Sequence, residues 1–430
     1  MPPLVHPVGD QPRRLSHLPR PLILTLLTTI FVTVVSWIPF LRGLLLGHVT
    51  GEGWPYYFAP GMPWPQNDRF GDLLLFRRTF EHFGKADFFK QGMLFPYPAP
   101  MAWLYRLYLP YLPDKIAIAT FLATVVVVMV AGSALLAKRM ERLGAPSFVV
   151  CFGYLVLSSV FSHVLAFEMR QLNAEIFAFI CVAAALFFFV ERRFNAAAVF
   201  FGLAIALKVY PCILLALFLP IRQYRPIGIA VLTAATTLCL GFTTVAGSFL
   251  DTARQLQISL HTFTVAYGEQ ISPAIGFDHS VFGACKVASR YVRLHGHEFL
   301  PICLGVTGVC AMVLFFTRIW KMPVFNRIAY VVAIAIFLPP VSFEYTLLHL
   351  YSVFAIFCCI VVRQAVASRA ADLWFPAVCF GVLFGLTALR HNGAVYVGLV
   401  KAVTLLCFIC WVTVCPLSDP DLDGPEVLRV

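Results

Sequence analysis

Residues 200–225 read FFGLAIALKVYPCILLALFLPIRQYR. One apolar run ends at Lys208, Val209, Tyr210 and Pro211, a second follows, and Arg222 and Arg225 close the stretch. Proline removes a backbone donor and interrupts a helix, and an ammonium group between two apolar segments is costly to bury in a membrane. The flanking runs, 196–207 and 212–219, are each shorter than the ~20 residues a crossing helix needs. The stretch therefore predicts two half-length helices meeting at a polar break. Such a break is tolerated only where protein covers it or it lines a wet cavity.

Composition places this stretch in a membrane protein. Of 430 residues, 60% are hydrophobic and 12% charged, with mean hydropathy +0.83, and no soluble fold of that length can hide so much apolar surface. The net charge of +11 could suit nucleic acid, but the basic residues lie in short clusters between apolar runs, which is a topological pattern. No nucleic-acid partner is expected. The 13 cysteines lie mostly in apolar runs, where cysteine behaves as a small hydrophobe. Cys285 alone sits in a long polar loop, so no disulfide framework is expected. Cys407 and Cys410 form a C-x-x-C, but inside the apolar run LLCFICWV.

The apolar runs 21–41, 116–137, 147–167, 176–190, 227–246, 300–316, 328–338, 347–362, 375–389 and 395–414, with the broken stretch, predict an all-α polytopic membrane protein of about twelve spans or half-spans. Short loops with two or more Lys or Arg alternate with loops that lack them, which by the positive-inside rule puts both termini in the cytoplasm. A disordered cytoplasmic tail is expected over 1–20, a transmembrane domain over 21–415 and a second cytoplasmic tail over 416–430. Two long outer loops, 47–115 and 248–298, hold many of the carboxylates. In the first, Leu73, Phe76, Phe80 and Phe83 recur at helical spacing and predict a surface helix lying along the membrane. The expected location is the inner (plasma) membrane, with the functional side extracytoplasmic. No internal repeat is visible, which counts against a transporter of symmetric halves.

Candidate chemistry gathers on the outer side. Asp72, in NDRFGDLLLFRRTF, suits either a helix first turn, where the dipole favours an acid, or a general base at the membrane boundary; Asp68, one turn earlier, competes with it. Lys208 either snorkels to the interface or, with Tyr210 at the break, receives a phosphate group that is itself membrane-anchored. Arg170, Gln171 and Asn173 offer donors to phosphate or sugar hydroxyls. Glu344, Tyr345 and His349 cluster at another outer boundary, and Asp278, His279 and Ser280 lie in the second loop. His295 and His297 have no defined carboxylate partner and make a weak metal pair.

Several of these motifs together resemble a known family. DLLLFRRTF followed by FPYPAPMAWLYRLYLPYLP, then RQLNAEIF, KVYP with its basic turn, DHSVFG and SFEYTLLHLY are similar, in that order, to glycosyltransferase family 87. KVYP in its flanks is the most specific of them. The resemblance implies a GT-C-type bundle with an extracytoplasmic site, a polyprenyl-phosphate sugar donor (typically mannose) and inverting transfer to a lipid or glycan acceptor. It matches Asp72 to the base and Lys208 to the phosphate-side lysine; beside them, Tyr210 and Arg170 are expected on the donor phosphate, and Gln171, Asn173, His279, Glu344, Tyr345 and His349 toward sugar or acceptor. Arg170 stands where that family has Gly before Gln171, and His279 where Gln is commoner. A lipid phosphate already carries its leaving charge, so no cofactor and no essential metal are expected. The expected partners are membrane lipids, the lipid-linked donor and the acceptor. A transporter of lipid-linked or small polar solutes and a non-catalytic envelope-assembly partner are the competing readings.

Overall fold

A computed structural model of the chain describes residues 14–45, 71–85, 87–88, 95–263, 265, 277–292, 296–368, 373–387, 390–391, 394–395, 397–420 and 422–423. Its helices, in order, are α1 (Arg20–Leu45), α2 (Gly71–Leu75), α3 (Arg77–Phe80), α4 (Ala99–Arg106), α5 (Asp114–Arg142), α6 (Phe148–Val160), α7 (His163–Gln171), α8 (Glu175–Val190), α9 (Phe194–Leu207), α10 (Tyr224–Thr244), α11 (Phe249–Phe263), α12 (Val281–Val292), α13 (Gly296–Thr317), α14 (Val324–Phe337), α15 (His349–Val366), α16 (Trp374–Gly385) and α17 (Val397–Val414). Tight 3-10 segments cover Tyr210–Phe218, Ile319–Lys321 and Glu344–Leu348. Residues 390–391 and 394–395 pair as a minimal antiparallel ladder. Among the described residues, five helices are long and apolar enough to cross a membrane, or six if the bent pair α6 and α7 forms one span. The protein is thus a polytopic helical membrane protein.

Packing follows from which helices are apolar all round. Every residue of α14 is buried, so this helix is the axis of the bundle, and it packs against the Tyr210–Phe218 segment, α15 and α17. By contrast α5, α10 and α13 expose Val127, Leu135, Leu232, Val306 and Met312, as a helix facing lipid does. Against α1, glycines bring α16 into backbone contact: a Cβ on Gly385 would lie 2.5 Å from the Thr29 carbonyl oxygen, and one on Gly381 2.5 Å from Thr28 Cβ. Small residues at a crossing are what permit such approach in a membrane.

The broken stretch folds back on itself. Helix α9 ends at Leu207, Lys208 takes an extended conformation (φ −144, ψ 133), and the chain returns as a 3-10 segment beginning with Tyr210-Pro211. Phe218, at the far end of that segment, packs against Phe194 at the start of α9, with ring centroids 6.3 Å apart. The two runs therefore meet at Lys208–Pro211 as expected, but lie side by side rather than end to end. At ~2.0 Å per residue a 3-10 helix covers in nine residues roughly what fourteen cover at ~1.5 Å in an α-helix.

Two other sequence expectations change. The run 147–167 was expected to cross as one helix, but it bends by 61° between α6 and α7. Phe161 closes α6, Ser162 is extended (φ −81, ψ 119), and α7 carries Glu168, Arg170 and Gln171. The amphipathic stretch of the first long loop forms α2 and α3, but its stripe does not face lipid. Leu73, Phe76 and Phe80 are buried in a nest of edge-on rings with Phe88, Phe95 and Tyr105. Each buried phenylalanine contributes about 1.5–3 kcal/mol and each edge-to-face pair about 0.5–1.5 kcal/mol more, which holds this segment on the protein. Arg77 ties it to the start of α5 through Asp114, 2.5 Å away, and the Leu112 carbonyl at 2.8 Å.

The two ends of the bundle differ in kind. At one end lie the α2 start, the α7 C-terminus, the α8 N-terminus, the α9 C-terminus and the α15 and α17 N-termini, with most of the buried polar side chains. The other end carries Arg139 paired to Glu191 at 3.2 Å, Arg363 paired to Asp419, and the Val324 N–H donating to Asp423 at 2.8 Å. Asp419 and Asp423, in the segment expected to be a tail, are buried and pin the chain after α17 under α14.

Candidate active site

The site is assembled where α7 turns into α8. Leu172 ends α7 in the left-handed conformation (φ 53), which costs a non-glycine residue about 1–2 kcal/mol, and its N–H returns to the Glu168 carbonyl at 2.7 Å. That turn delivers Asn173 and Glu175. Asn173 Nδ2 lies 2.6 Å from Asp72 Oδ2 and 2.9 Å from the Tyr97 hydroxyl. Its Oδ1 accepts the Glu175 N–H at 2.9 Å, satisfying a free donor at the helix start. The Tyr105 hydroxyl accepts the Ala174 N–H at 3.1 Å.

Glu175, with no exposed side-chain surface, collects the groups on the other side. Lys208 Nζ is 3.0 Å from its Oε2, and His349 Nε2 is 2.8 Å from its Oε1. Tyr210 donates its hydroxyl to Glu175 and lies 2.5 Å from His349 Nε2. The Lys208 ammonium also sits over the Tyr97 ring, 4.3 Å from its centroid, and 5.5 Å from that of Tyr345. An ammonium held by one carboxylate and two ring faces is oriented while keeping a little solvent contact, 13% for this side chain. Asp72 and Lys208 therefore flank one pair of side chains, Asn173 and Tyr97. The Asp72 carboxyl is raised above the usual aspartate range by burial, against the opposing pull of the Asn173 hydrogen bond and the Lys208 charge. A raised carboxyl pKa makes a stronger base at the cost of earlier protonation.

The remaining sequence candidates divide. Tyr345 and His349 face this site, and Arg170 and Gln171 close α7 beside it. Glu344 and His279, expected at sugar or acceptor, are both fully buried in a separate cluster behind it. Glu344 pairs with Lys401 of α17 and lies 3.4 Å from His163 Nδ1. His279 Nε2 is 3.1 Å from the hydroxyls of both Ser342 and Thr346, and burial lowers its imidazole to about 4, leaving it neutral. Asp278 Oδ1 accepts the Ser280 and Ser342 N–H groups, each at 3.0 Å. Consecutive residues on the Glu344–Leu348 segment thus serve opposite sides, with Glu344 anchoring and Tyr345 facing Lys208. Asp68 and His295 lie outside the described residues. Among the described residues, no three His, Cys, Asp or Glu side chains converge as a metal centre would require.

Sequence reading passed over four residues. Glu175 and Tyr97 stand in the sequence only inside the motifs RQLNAEIF and FPYPAPMAWLYRLYLPYLP, with no role assigned to either. Glu168 is completely buried, within electrostatic reach of Asp72, Glu175 and Lys208, with the Ile176 N–H as the backbone donor facing it. Lys401, a lone lysine at the seventh position of the apolar run 395–414, carries the signal that an intramembrane charge has a partner. Below the site, a cavity of about 160 Å³ opens between α5, α6, α8 and α15, lined by Met129, Leu136, Leu155, Phe179 and Phe354 among others. The Phe179 ring reaches up to His349, centroid to centroid 6.2 Å.

The sequence model of glycosyltransferase family 87 matches residues 95–340, more than half of the chain. The chain belongs to glycosyltransferase family 87. It is therefore a membrane glycosyltransferase. The match takes in Tyr97, Asn173, Glu175, Lys208 and Tyr210, while Asp72 lies before it and Glu344, His349 and Lys401 after it. No curated protein and no solved structure matched the chain.

Proposed function

We propose that this family 87 glycosyltransferase moves a hexose, with mannose the first candidate, from a polyprenyl-phosphate donor to a hydroxyl of a lipid- or glycan-linked acceptor, with inversion, in a GT-C-type bundle whose site end is extracytoplasmic. One observation carries the reading. A carboxylate poised as a base, Asp72, and a fixed ammonium, Lys208, flank the same Asn173–Tyr97 pair at one end of the bundle. In the reaction Asp72 takes the proton of the acceptor hydroxyl. The freed oxygen attacks the anomeric carbon, and the sugar–phosphate C–O bond breaks on the opposite face. The phosphate leaves with its electron pair toward Lys208, assisted by Tyr210, which shares Glu175 with that lysine, and by Arg170 at the end of α7. Lys208 is not idle beforehand: Glu175 holds it, and an ammonium with three donors can share itself between a carboxylate and a phosphate. His349, Tyr345, Gln171 and Asn173 are left to line the sugar and acceptor. The cavity beneath His349 is apolar and walled on one side by α5, which exposes Val127 and Leu135, and this suits the first isoprene units of the donor chain. The reading includes no metal.

The test is transfer of labelled sugar from polyprenyl-phosphate donor by the purified protein. Asp72→Asn should lower turnover by 100-fold or more, as loss of a general base does, with donor binding retained. Unchanged turnover in Asp72→Asn would move the base to Asp68. Transport of the donor without transfer would favour the transporter instead.

A further inference from the structure

Cys285 lies on α12 and Cys303 on α13, and their sulfur atoms are 3.0 Å apart. That is about 1 Å longer than the ~2.05 Å of a disulfide bond, and both are free thiols in this structure. The pair belongs to a small apolar cluster of its own, Phe282 and Cys303 with Val281, Cys285 and Leu304 packed around them. Val281 joins it to the main core. The apolar run containing Cys303 starts at Leu300, directly after the polar stretch 295–298, so Cys303 sits near the boundary end of that run, and Cys285 is half-buried on the preceding helix. Sequence alone hid the pair, because Cys303 reads as one more cysteine in an apolar run.

We propose that Cys285 and Cys303 form a disulfide that staples α12 to the boundary end of α13. The proposal rests on the extracytoplasmic orientation argued above, since disulfides persist where the compartment is oxidising. In the step, two S–H bonds break and one S–S bond forms, with release of two protons and two electrons. The oxidant is a disulfide-bearing thiol oxidase of the extracytoplasmic face. A thiolate of this protein attacks its disulfide, the mixed disulfide is resolved by the second thiolate, and the oxidase leaves as a dithiol carrying the electrons. Burial and the neighbouring thiol push Cys285 up to about 12, and only the thiolate is nucleophilic. Oxidation therefore belongs to the newly inserted chain, before α12 settles onto α13.

The staple has a structural object. Helix α12 begins directly after Asp278, His279 and Ser280, and the backbone of Asp278 lies against α17, where a Cβ on Gly398 would come within 2.4 Å of its carbonyl oxygen. Fixing α12 fixes that turn over the buried Glu344–Lys401 pair, which in turn holds the segment carrying Tyr345 and His349.

The full-length protein, alkylated with N-ethylmaleimide in freshly isolated membranes and digested without reductant, should yield a linked peptide joining Cys285 and Cys303, two hydrogens lighter than its separate halves. Alkylation of both thiols would overturn the proposal. Cys285→Ser and Cys303→Ser should each lower the thermal midpoint in detergent by several degrees, the double variant by no more than either, and reductant should bring the unsubstituted protein to the same value. A midpoint indifferent to reductant while the serine variants fall would assign the cysteines to packing alone and overturn the staple. A membrane-impermeant maleimide keeps the two readings separate. Free Cys285 labelled from outside intact cells sinks the staple and spares the orientation, whereas labelling only from the cytoplasmic side sinks both.

Discussion

Asn173 carries more of the site than its place in RQLNAEIF suggests. Its amide nitrogen serves both Asp72 and Tyr97, and its oxygen caps the start of α8. Burial lifts the Asp72 carboxyl, and the Asn173 hydrogen bond is the largest influence drawing it back down. The base works only when ionised, so the rate falls as pH drops through the raised Asp72 value. Removing the amide in Asn173→Ala takes away the donor that favours the ionised form. The acidic limb of the kcat/KM profile should then move to higher pH, with turnover at neutral pH down roughly tenfold or more. A limb that stays in place while the rate falls would mean that Asp72 is not the group being titrated. Glu175 shows the same economy from the other side, since one carboxylate orients Lys208, Tyr210 and His349.

At the scale of elements, the site depends on helices that approach more closely than any side chain allows. A Cβ on Gly398 would lie 2.4 Å from the Asp278 carbonyl oxygen and 2.7 Å from its backbone nitrogen. These are backbone atoms, which cannot swing aside. Gly398→Ala should therefore push α17 away from the 278–280 turn and destabilise the protein by about 1–3 kcal/mol, the usual cost of overpacking. The loss reads as a lower thermal midpoint together with reduced transfer, because Lys401 on the same helix anchors Glu344. Gly305→Ala on α13, where nothing lies within 4 Å, is the control and should leave both unchanged. Equal behaviour of the two would show that the contact between α17 and the turn does not matter. Much of this level was legible in the sequence. The break at Lys208 announced itself because a lysine and a proline interrupt an apolar run, and Asp72 because it opens an amphipathic stretch. What stayed hidden were relations between distant residues. Glu175 and Lys401 gain meaning only when Lys208 and Glu344 are brought to them, and no local period records that meeting. The inward turn of Leu73, Phe76 and Phe80 was equally silent, since an apolar stripe looks the same whether lipid or a nest of aromatic rings receives it.

At the scale of the whole molecule, the two ends differ in a way that bears on orientation. Lys138, Arg139 and Arg142 close α5, Arg192 and Arg193 lie between α8 and α9, Arg222 and Arg225 precede or open α10, and Arg318 and Lys321 follow α13. All of these are at the end opposite Asp72, because α9 and the 3-10 segment after Lys208 run back side by side to the Arg222 turn. Positive charge in short loops marks the cytoplasmic face, so the site end should face outward, toward a lipid-phosphate donor presented in the outer leaflet. In a cysteine-free background that retains transfer, single cysteines can replace Arg78 on α3 and Arg193 before α9, both exposed. A membrane-impermeant maleimide added to intact cells should label Arg78→Cys directly and Arg193→Cys only after permeabilisation. The reverse pattern would place Asp72 and Lys208 on the cytoplasmic side, where a donor in the outer leaflet could not reach them, and the choice of donor would have to be abandoned even if glycosyl transfer itself were retained.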